Sequence, residues 1–477
     1  MKRNHKETPL YKKIVNFTSK NPVSFHVPGH KNGTLFPEHA KGFFNSILSI
    51  DMTELTGLDD LHAPDGVIAE SEVLAADYFG ADHTFFLVGG STAGNLAMIL
   101  SVCSDGDKII VQRNCHKSVM NGLELAGARP IFVAPQFDTI VDRYTNPTFD
   151  SMKQAIDHNP DAKGIVLTYP DYYGKTYAIK AMIDYAHDHD IPVLVDEAHG
   201  VHFSIGDPFP PSALDLGADL VVQSAHKMAS SMTMSSYLHI KTPYVSKRHI
   251  GHYLQMIQSS SPSYPLMASL DLARSFLATK SPADIDEILN SVQEVRSILS
   301  VSNLWDVLPI TDQDDPLKIT LHTKPGLSGF LVAKAFEDEN IYPELATHNQ
   351  VLLIHGLAYF QRMDYLRNSL KIITEQLKIM DNHATIDVRK LFPRPIEELA
   401  MEYKQMNKHL TFRASLDQTV GAIAAESVIP YPPGVPLILK GERITAKHIA
   451  LLKELIQQGA RMQNDDIDKG IHIYKGE

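Results

Sequence analysis

A series of short apolar runs, separated by segments of helical length, constrains the fold of this 477-residue chain more than any other feature. Between Thr84 and Ile240 the runs are "TFFLV", "DKIIVQ", "ARPIFVA", "GIVLTYP", "IPVLVDEA" and "ADLVVQSA". Runs that are apolar throughout and rich in β-branched residues are typical of parallel strands covered by helices on both faces. The pattern therefore predicts an α/β domain built on a mostly parallel sheet.

The chain beyond Asp271 has a different pattern. A long amphipathic helix is predicted at 283–300, then a strand in "DPLKITLHT" and a helix–strand alternation to about Asn382. A polar passage with prolines, "RKLFPRPIEELAMEY", introduces the rest of the chain. We therefore predict four parts: an N-terminal arm over 1–20, a large domain over 21–275, a smaller α/β domain over 276–382 and a C-terminal α+β domain over 383–477.

Composition narrows the class of protein. The 44% hydrophobic and 21% charged content is that of an ordinary globular chain. The two cysteines, Cys103 and Cys115, are too few for a disulfide framework, and the sequence has no apolar stretch typical of a signal peptide or a membrane helix. We therefore expect a cytoplasmic protein that does not enter the membrane. The net charge of -12 argues against nucleic acid as a partner.

Three polar loops follow predicted strands, and ligands of open α/β sheets gather at the carboxyl ends of strands. The first, "GGSTAGN", places glycines and hydroxyls before a helix, where amide groups and the helix dipole favour a phosphate. The second, "DEAHG", places Asp196 at the end of an apolar strand, where a carboxylate needs a partner. The third, "QSAHK", ends in Lys227. Each alone is also compatible with an ordinary cap or a solvated charge.

Together, the phosphate cradle, the acid and the lysine match the requirements of pyridoxal 5'-phosphate. Lys227 would form the Schiff base with the aldehyde of the cofactor. Asp196 would pair with the ring nitrogen and keep it protonated, and Ser224 and His226 would reach the phosphate. The small residues around Lys227 would leave room for the flat ring.

At this point the chain resembles a known family, the short bacterial form of the Orn/Lys/Arg decarboxylases. These are pyridoxal phosphate enzymes of fold type I, with an aspartate-aminotransferase-like large domain and a mostly parallel seven-stranded sheet. The ordered motifs that carry the resemblance are "SFHVPGHKNG", "ELTGLDDLHAPDG", "FFLVGGSTAGN", "RNCHKS", "VDEAHG", "QSAHK", "QSSSPSYPLMASLDLAR" and "PYPPGVPL". They cover nearly the whole chain.

The resemblance implies roles for residues of these motifs. His116 would stack on the cofactor ring and Ala198 would pack on its other face. Ser260 and Ser261 would reach the phosphate of a neighbouring subunit, so a homodimer or larger homo-oligomer would share its active sites. The catalytic group would comprise Lys227, Asp196, His116 and His226; the phosphate side would add Gly90, Ser91, Thr92 and Ser224. No metal is implied.

The implied reaction is decarboxylation of a basic L-amino acid: arginine, lysine or ornithine. Similarity to short Gram-positive forms favours arginine. The far end of the substrate side chain needs an acceptor, and Glu426 and Asp60 or its neighbour Asp59 are candidates. His30, with Lys31 beside it, would line the entrance. The chain departs from the family where Ala225, Met234 and Lys440 replace a common threonine, glutamine and proline, and it lacks the N-terminal wing of the enteric inducible enzymes.

Other functions remain open at this stage. An aminotransferase or aldolase could use the same lysine and aspartate, and a homologue without activity could still bind the cofactor. A nicotinamide dehydrogenase is disfavoured because no G-x-G-x-x-G follows the first strand. A metal hydrolase built on His199 and His202 of "HGVH" is disfavoured because the loop supplies no further ligand set.

Overall fold

The computed structural model describes residues 3–377, 391–392, 394–430, 434–457 and 459–475. They divide into two compact units. Unit 1 comprises residues 3–102 and 179–281, and unit 2 comprises the described residues of 103–178 and 282–475. Each unit is assembled from two separate stretches of chain. The division into four consecutive domains stays a prediction.

The first stretch of each unit holds the beginning of its sheet. In unit 1 the elements are α1 (Pro9–Thr18), α2 (Glu38–Leu48), α3 (Val67–Phe79), β1 (His83–Leu87) and α4 (Gly90–Val102). In unit 2 they are β2 (Lys108–Gln112), α5 (Lys117–Ala126), β3 (Arg129–Val133), β4 (Phe137–Asp138), β5 (Arg143–Tyr144), α6 (Phe149–His158) and β6 (Ile165–Thr168).

The second stretch of unit 1 completes its sheet. Its elements are α7 (Ile179–His187), β7 (Val193–Asp196), a short 3-10 helix (Val201–Ile205), β8 (Leu220–Gln223), α8 (Ala225–Met228), β9 (Ser236–Ile240), α9 (Lys247–Ile257) and α10 (Tyr264–Ala278). The strand order is β1-β9-β8-β7. Strand β8 is parallel to β7 and antiparallel to β9, which is in turn antiparallel to β1. Strands β1, β7 and β8 therefore run in the same direction.

The second stretch of unit 2 begins with α11 (Pro282–Leu299), β10 (Trp305–Val307), β11 (Lys318–Thr323), α12 (Gly329–Asp338), β12 (Leu345–Ala346), β13 (Gln350–Ile354) and α13 (Met363–Leu377). Helix α11 and strand β11 confirm the helix and strand predicted there. The four strands form an antiparallel sheet in the order β10-β11-β13-β12.

The C-terminal part of unit 2 holds β14 (Ile396–Glu398), α14 (Tyr403–Met406), β15 (Thr411–Ala414), α15 (Ala446–Gln457) and β16 (Ile471–Tyr474). Strands β15 and β16 pair with each other, and Ile444, Leu452 and Ile471 belong to their core. Strand β14 pairs antiparallel with β3, which continues in parallel to β2 and β6. Residues 431–433 of the "PYPPGVPL" motif lie outside the described residues.

The sequence pattern of the central strands explains their position. All four residues of β7 and of β8 are buried, as expected for strands covered on both faces. Unit 1 contributes β1, β7, β8 and β9 to this class of sheet, and unit 2 has β2, β3 and β6 in parallel with β14 antiparallel beside β3. The α/β fold class with a mixed, mostly parallel sheet is therefore confirmed. Among the described residues, no helix is both long and apolar enough to cross a membrane.

Candidate active site

Three loops of unit 1 meet at one edge of its sheet. Because β1, β7 and β8 run in the same direction, their carboxyl ends lie at the same edge. The loops that follow them carry Gly90, Asp196 and Lys227. The topology therefore brings together the three polar loops that the sequence singles out.

The glycine loop after β1 has features that favour an anion. Helix α4 starts at Gly90, whose φ of 72° lies in the left-handed region that glycine adopts without strain. Ser224 Oγ donates to Ser91 Oγ at 2.9 Å, so two hydroxyl groups meet near the first turn of this helix. Amides of a first turn lack intrahelical partners and favour a negative charge. Thr92 is exposed in the same turn.

Neighbouring side chains and backbone fix this loop from outside. Gln258 Oε1 accepts hydrogen bonds from Val88 N at 2.8 Å and Gly89 N at 3.3 Å. Gly90 N donates to Met234 O at 2.8 Å. Met234 has a φ of 77°, a strained conformation for a residue with a Cβ. The loop is therefore held in one conformation before any ligand arrives.

Gly94 sets the distance between α4 and the sheet. A Cβ at this position would lie 2.4 Å from Val222 Cγ2 and 2.9 Å from Leu87 Cδ1. Real Cβ atoms do not approach other atoms so closely, so only glycine lets the helix backbone reach β1 and β8. This approach brings the next residue, Asn95, to the end of β7.

Asp196 is held by two donors in a nearly dry setting. Its side chain is 3% exposed. Asn95 Nδ2 donates to Oδ2 at 2.8 Å, and the backbone amide of Ala198 donates to Oδ1 at 3.1 Å. A buried carboxylate is tolerated when it is hydrogen-bonded, and a positive partner stabilises it further. The carboxylate is therefore oriented and suited to a cationic ligand atom.

Lys227 contacts a histidine that sequence reasoning did not assign to the cofactor. Nζ lies 3.0 Å from Nε2 of His199. An ammonium group only donates, so Nε2 of His199 accepts when Lys227 is charged, and the ring then carries its hydrogen on Nδ1. His202, the other histidine of "HGVH", packs on Phe203 and Phe209 instead. The loop thus supplies one histidine to Lys227 and one to the core.

His226 is oriented by the backbone. Its Nδ1 lies 3.0 Å from Ser235 O, and its own amide donates to the same carbonyl at 3.3 Å. Since a carbonyl only accepts, Nδ1 carries the hydrogen, which leaves Nε2 as an acceptor. The preceding residue, Ala225, is fully buried at the start of α8.

A buried polar network supports the strands from the inside. The carboxyl group of Glu197 binds Ser212 Oγ, Ala213 N and Gln223 Nε2 at 3.0, 2.7 and 2.6 Å. Burial raises the pKa of Glu197 to about 8. Gln223 Oε1 in turn accepts from His239 Nε2 at 3.0 Å, and burial lowers the pKa of His239 to about 3, so that ring is neutral. The network joins β7, β8 and β9 beneath the candidate site.

His116 belongs to unit 2. It is the N-cap of α5, where Nδ1 accepts from Ser118 N at 3.2 Å and lies 2.9 Å from Ser118 Oγ. Ser260 and Ser261 belong to unit 1, two and three residues after Gln258, and both are exposed. Their roles toward the cofactor ring and toward a neighbouring subunit stay predictions.

The candidate substrate residues are bound locally. His30 Nδ1 accepts from Gly33 N, and its Nε2 lies 3.1 Å from Asp51 Oδ2. Asp60 Oδ1 accepts from His62 N at 2.8 Å. In unit 2, Glu426 accepts from His472 N at 2.7 Å and from Asn464 Nδ2 at 3.0 Å. Each has a local partner that accounts for its position, so a substrate role stays a prediction.

Asp59, the neighbour of Asp60, caps α3. Its carboxylate accepts from Gly66 N at 2.9 Å and Ile68 N at 2.8 Å. Burial alone would raise the pKa of Asp59, but amide donors, Asp65 N foremost, lower it below its ordinary value. These contacts account for the charge without a substrate.

Sequence reasoning missed Asn95, His199 and Gln258. Asn95 had a usable signal, because it is a polar residue on a buried face of an otherwise apolar helix. Gln258 opens the "QSSSPSYPLMASLDLAR" motif, but its partner was not predictable, because 169 positions separate it from the amide of Gly89 that it binds.

The residues of unit 1 fit pyridoxal 5'-phosphate. The paired hydroxyls at the start of α4 suit its phosphate, the oriented carboxylate of Asp196 suits a protonated ring nitrogen, and Lys227 supplies the amine. The match rests on the combination of hydroxyls, carboxylate and amine, and not on any one residue.

Two family models match most of the chain. The model of the Orn/Lys/Arg decarboxylase major domain matches residues 8–314, and that of the C-terminal domain matches 384–462. The chain is 43% identical to the uncharacterized protein YaaO of Bacillus subtilis (96% of both chains). It is 37% identical to an arginine decarboxylase of the same organism (98% of this chain, 97% of the relative).

A solved structure extends the match to the fold. The constitutive lysine decarboxylase of Escherichia coli superposes with a TM-score of 0.79 at 21% identity, covering 98% of this chain and 82% of that one. The chain belongs to the Orn/Lys/Arg decarboxylase family, whose members use pyridoxal 5'-phosphate to decarboxylate basic amino acids.

Proposed function

We propose that this chain is an arginine decarboxylase, which converts L-arginine to its amine and carbon dioxide. The observation that carries the proposal is the joint placement of Asp196 and Lys227, each with an orienting partner, at the carboxyl ends of β7 and β8. The choice of arginine follows the 37% identity to an arginine decarboxylase over 98% of the chain. The lysine decarboxylase structure is 21% identical.

The cofactor, when bound, supplies an electron-accepting ring for the bond that releases carbon dioxide. Lys227 would hold the cofactor through Nζ. Asp196 would face the ring nitrogen and keep its proton in place, with Asn95 fixing the carboxylate. Ala198 and His116 would cover the two faces of the ring. These residues orient the ring and exclude water, which is the contribution of the protein to such reactions.

Other predicted residues complete the site. Gly90, Ser91, Thr92, Ser224 and His226 would hold the phosphate at the start of α4. His226 and Lys227 are the candidates for returning a proton to the substrate carbon. His30, Asp60 and Glu426 are candidates for contacts with the substrate. A guanidinium group suits a carboxylate that can accept two parallel hydrogen bonds.

We also propose that two copies of the chain share their active sites. The N-terminal segment 23–47 of unit 1 exposes an unusual number of large apolar side chains, with Phe25 95% and Phe43 91% accessible. The others are Val23, Val27, Leu35, Phe44 and Ile47. Monomeric proteins rarely expose apolar patches above several hundred Å². A second copy would cover this surface and bring exposed Ser260 and Ser261 to the phosphate of its neighbour.

The location that fits best is the cytoplasm. Cys103 and Cys115 are both buried, and two cysteines in a chain of this length suit a reducing compartment.

The test of the reaction is to supply the purified protein, loaded with cofactor, with arginine, lysine and ornithine separately. Products are identified by mass and carbon dioxide is measured. We expect the amine of arginine with the highest kcat/KM. Faster turnover of lysine or ornithine would contradict the choice of substrate. A keto acid in place of an amine would indicate an aminotransferase, and no product from any of the three would contradict decarboxylation.

The test of the shared site is complementation between two inactive variants. Lys227→Ala and Ser260→Ala/Ser261→Ala are each purified, mixed and allowed to exchange subunits. A hybrid dimer would contain one site with both a wild-type lysine and wild-type serines, so activity should return on mixing. Absence of recovery in a mixture that light scattering shows to be dimeric would contradict the shared site.

A further inference from the structure

The loop that carries His116 is bound by the C-terminal part of unit 2. The loop, residues 113–117, connects the end of β2 to the start of α5. Lys117 N donates to Gly434 O at 3.2 Å, and Lys117 Nζ donates to Gln463 Oε1 at 2.8 Å. One end of the loop is therefore attached to the described part of the "PYPPGVPL" motif.

Arg113 attaches the other end of the loop to the same segment. Its guanidinium donates to Pro436 O at 2.9 Å through Nη1, and to Leu437 O at 3.3 Å and Glu442 Oε2 at 2.9 Å through Nη2. Arg113 is 3% exposed. The ring of Phe392 lies 5.4 Å from the guanidinium carbon. A planar guanidinium with donors in a fixed fork sets direction as well as distance.

Arg113 donates to three acceptors, two backbone carbonyl groups and one carboxylate. A lysine would keep the charge but lose the fork that reaches two carbonyl groups and a carboxylate at once. Glu442 Oε2 also accepts from Leu439 N at 2.8 Å, which fixes the acceptor before Arg113 binds it. The segment 434–442 therefore supplies all three of these acceptors.

A second set of contacts holds the loop from its other side. Asn114 Oδ1 accepts from Gln112 Nε2 at 3.0 Å, and Asn114 Nδ2 donates to Thr145 O at 2.7 Å. His116 thus lies between anchored residues on both sides in sequence. The backbone at this histidine has little freedom even though it belongs to a connecting loop.

We infer that Arg113 is a positioning residue, which acts through the loop 113–117 to place His116 for the cofactor ring. The inference gives the C-terminal domain a part in cofactor binding, through segment 434–442. It rests on the proposed function, because it takes His116 to be the residue that covers the ring.

A purely structural role for Arg113 makes a different prediction. If Arg113 only joins two parts of unit 2, a variant that is as stable as the wild type should also have wild-type hydrogen exchange and cofactor affinity. Breaking a buried ion pair by removing one partner is strongly destabilising, whereas replacing both partners by apolar residues is often neutral. The double variant Arg113→Met/Glu442→Gln therefore removes the bonds to the carbonyl groups without leaving an unpaired charge, and the glutamine oxygen can still accept from Leu439 N.

The experiment compares wild type, Arg113→Lys, the double variant and Lys440→Ala. The last is the matched control, since Lys440 Nζ pairs with Glu124 Oε1 at 2.5 Å between the same two parts of unit 2 in a more exposed position. Amide hydrogen exchange over 113–119 is measured without cofactor, binding of pyridoxal 5'-phosphate is measured by absorbance, and thermal midpoints report stability.

We expect faster exchange at residues 114–118 and about tenfold weaker cofactor binding in Arg113→Lys and in the double variant. Lys440→Ala should match wild type in both. Wild-type exchange and affinity in a stable double variant would overturn the inference, and so would faster exchange with unchanged affinity. Failure of the wild type itself to bind the cofactor would contradict the proposed function, while the exchange data would still report on the anchoring of the loop.

Discussion

Asn95 Nδ2 donates a hydrogen bond to Asp196 Oδ2 at 2.8 Å, and both side chains are buried. Asn95 belongs to α4, whose first turn carries Ser91, and Asp196 ends β7. One helix therefore sets both the proposed phosphate site and the orientation of the acid proposed to face the ring nitrogen. Displacing this helix should affect both at once.

Substitution at this pair should separate orientation from charge. Asp196→Asn removes the charge that would hold a proton on the ring nitrogen, so we expect bound cofactor but a kcat lower by about 100-fold or more. Asn95→Leu leaves the charge and removes one donor, so the expected loss is about tenfold. Steady-state kinetics with absorbance of the bound cofactor measure both. Unchanged kcat in Asp196→Asn would refute the role of the acid.

Gly94→Ala should push α4 away from the sheet. The new Cβ would meet Val222 Cγ2 at 2.4 Å, and such overpacking costs about 1–3 kcal/mol of stability. We expect a lower thermal midpoint and weaker cofactor binding. Gly356→Ala is the control, because no atom lies within 4 Å of a Cβ at that position. Equal midpoints for the two variants would contradict the packing argument.

The sequence made Asp196 and Lys227 predictable because a topological rule places residues that follow parallel strands at one edge of a sheet. Distances across that edge follow no such rule. The contact of His199 with Lys227 depends on how two loops fold back, and nothing local in "DEAHG" encodes it. Asp59 has partners much closer in sequence, because its carboxylate accepts from amides up to ten residues away. No motif in the sequence predicts these contacts either. The sequence pattern identifies candidate polar side chains, whereas long-range packing determines which side chains they contact.

His199→Leu tests which group carries the charge in the pair with Lys227. A charged Lys227 loses an acceptor and gains an apolar neighbour in this variant, and both changes disfavour the ammonium form. The pH at which half of Lys227 reacts with an amine reagent, measured by mass spectrometry without cofactor, should fall. A rise would mean that His199 carries the charge in the wild type. His249→Leu on the exposed face of α9 is the control.

Glu72 should make the protein less stable as the pH rises. Burial raises the pKa of Glu72 from 4.5 to about 8, and Phe86 N donates to its Oε1 at 3.1 Å. The folded state therefore keeps a proton that the unfolded chain releases between about pH 4.5 and 8. The stabilising effect is complete below this window and lost through it, at up to about 1.4 kcal/mol per pH unit.

Glu72→Gln should reduce this loss because an amide does not ionise. Thermal midpoints at pH 5.5 and 8.5, read without cofactor, measure it, with exposed Glu70→Gln on the same helix as the control. The decline should be smaller in Glu72→Gln than in either wild type or Glu70→Gln. An equal decline in all three would place the titrating group elsewhere.

The central claim is that the cofactor is bound covalently to Lys227. Wild-type protein and Lys227→Ala are incubated with pyridoxal 5'-phosphate, reduced with borohydride and digested, and the peptides are identified by mass. We predict that the reduced cofactor is found on the peptide containing Lys227 and on no peptide of the variant. Its attachment to another lysine, or an equal label in Lys227→Ala, would contradict the account.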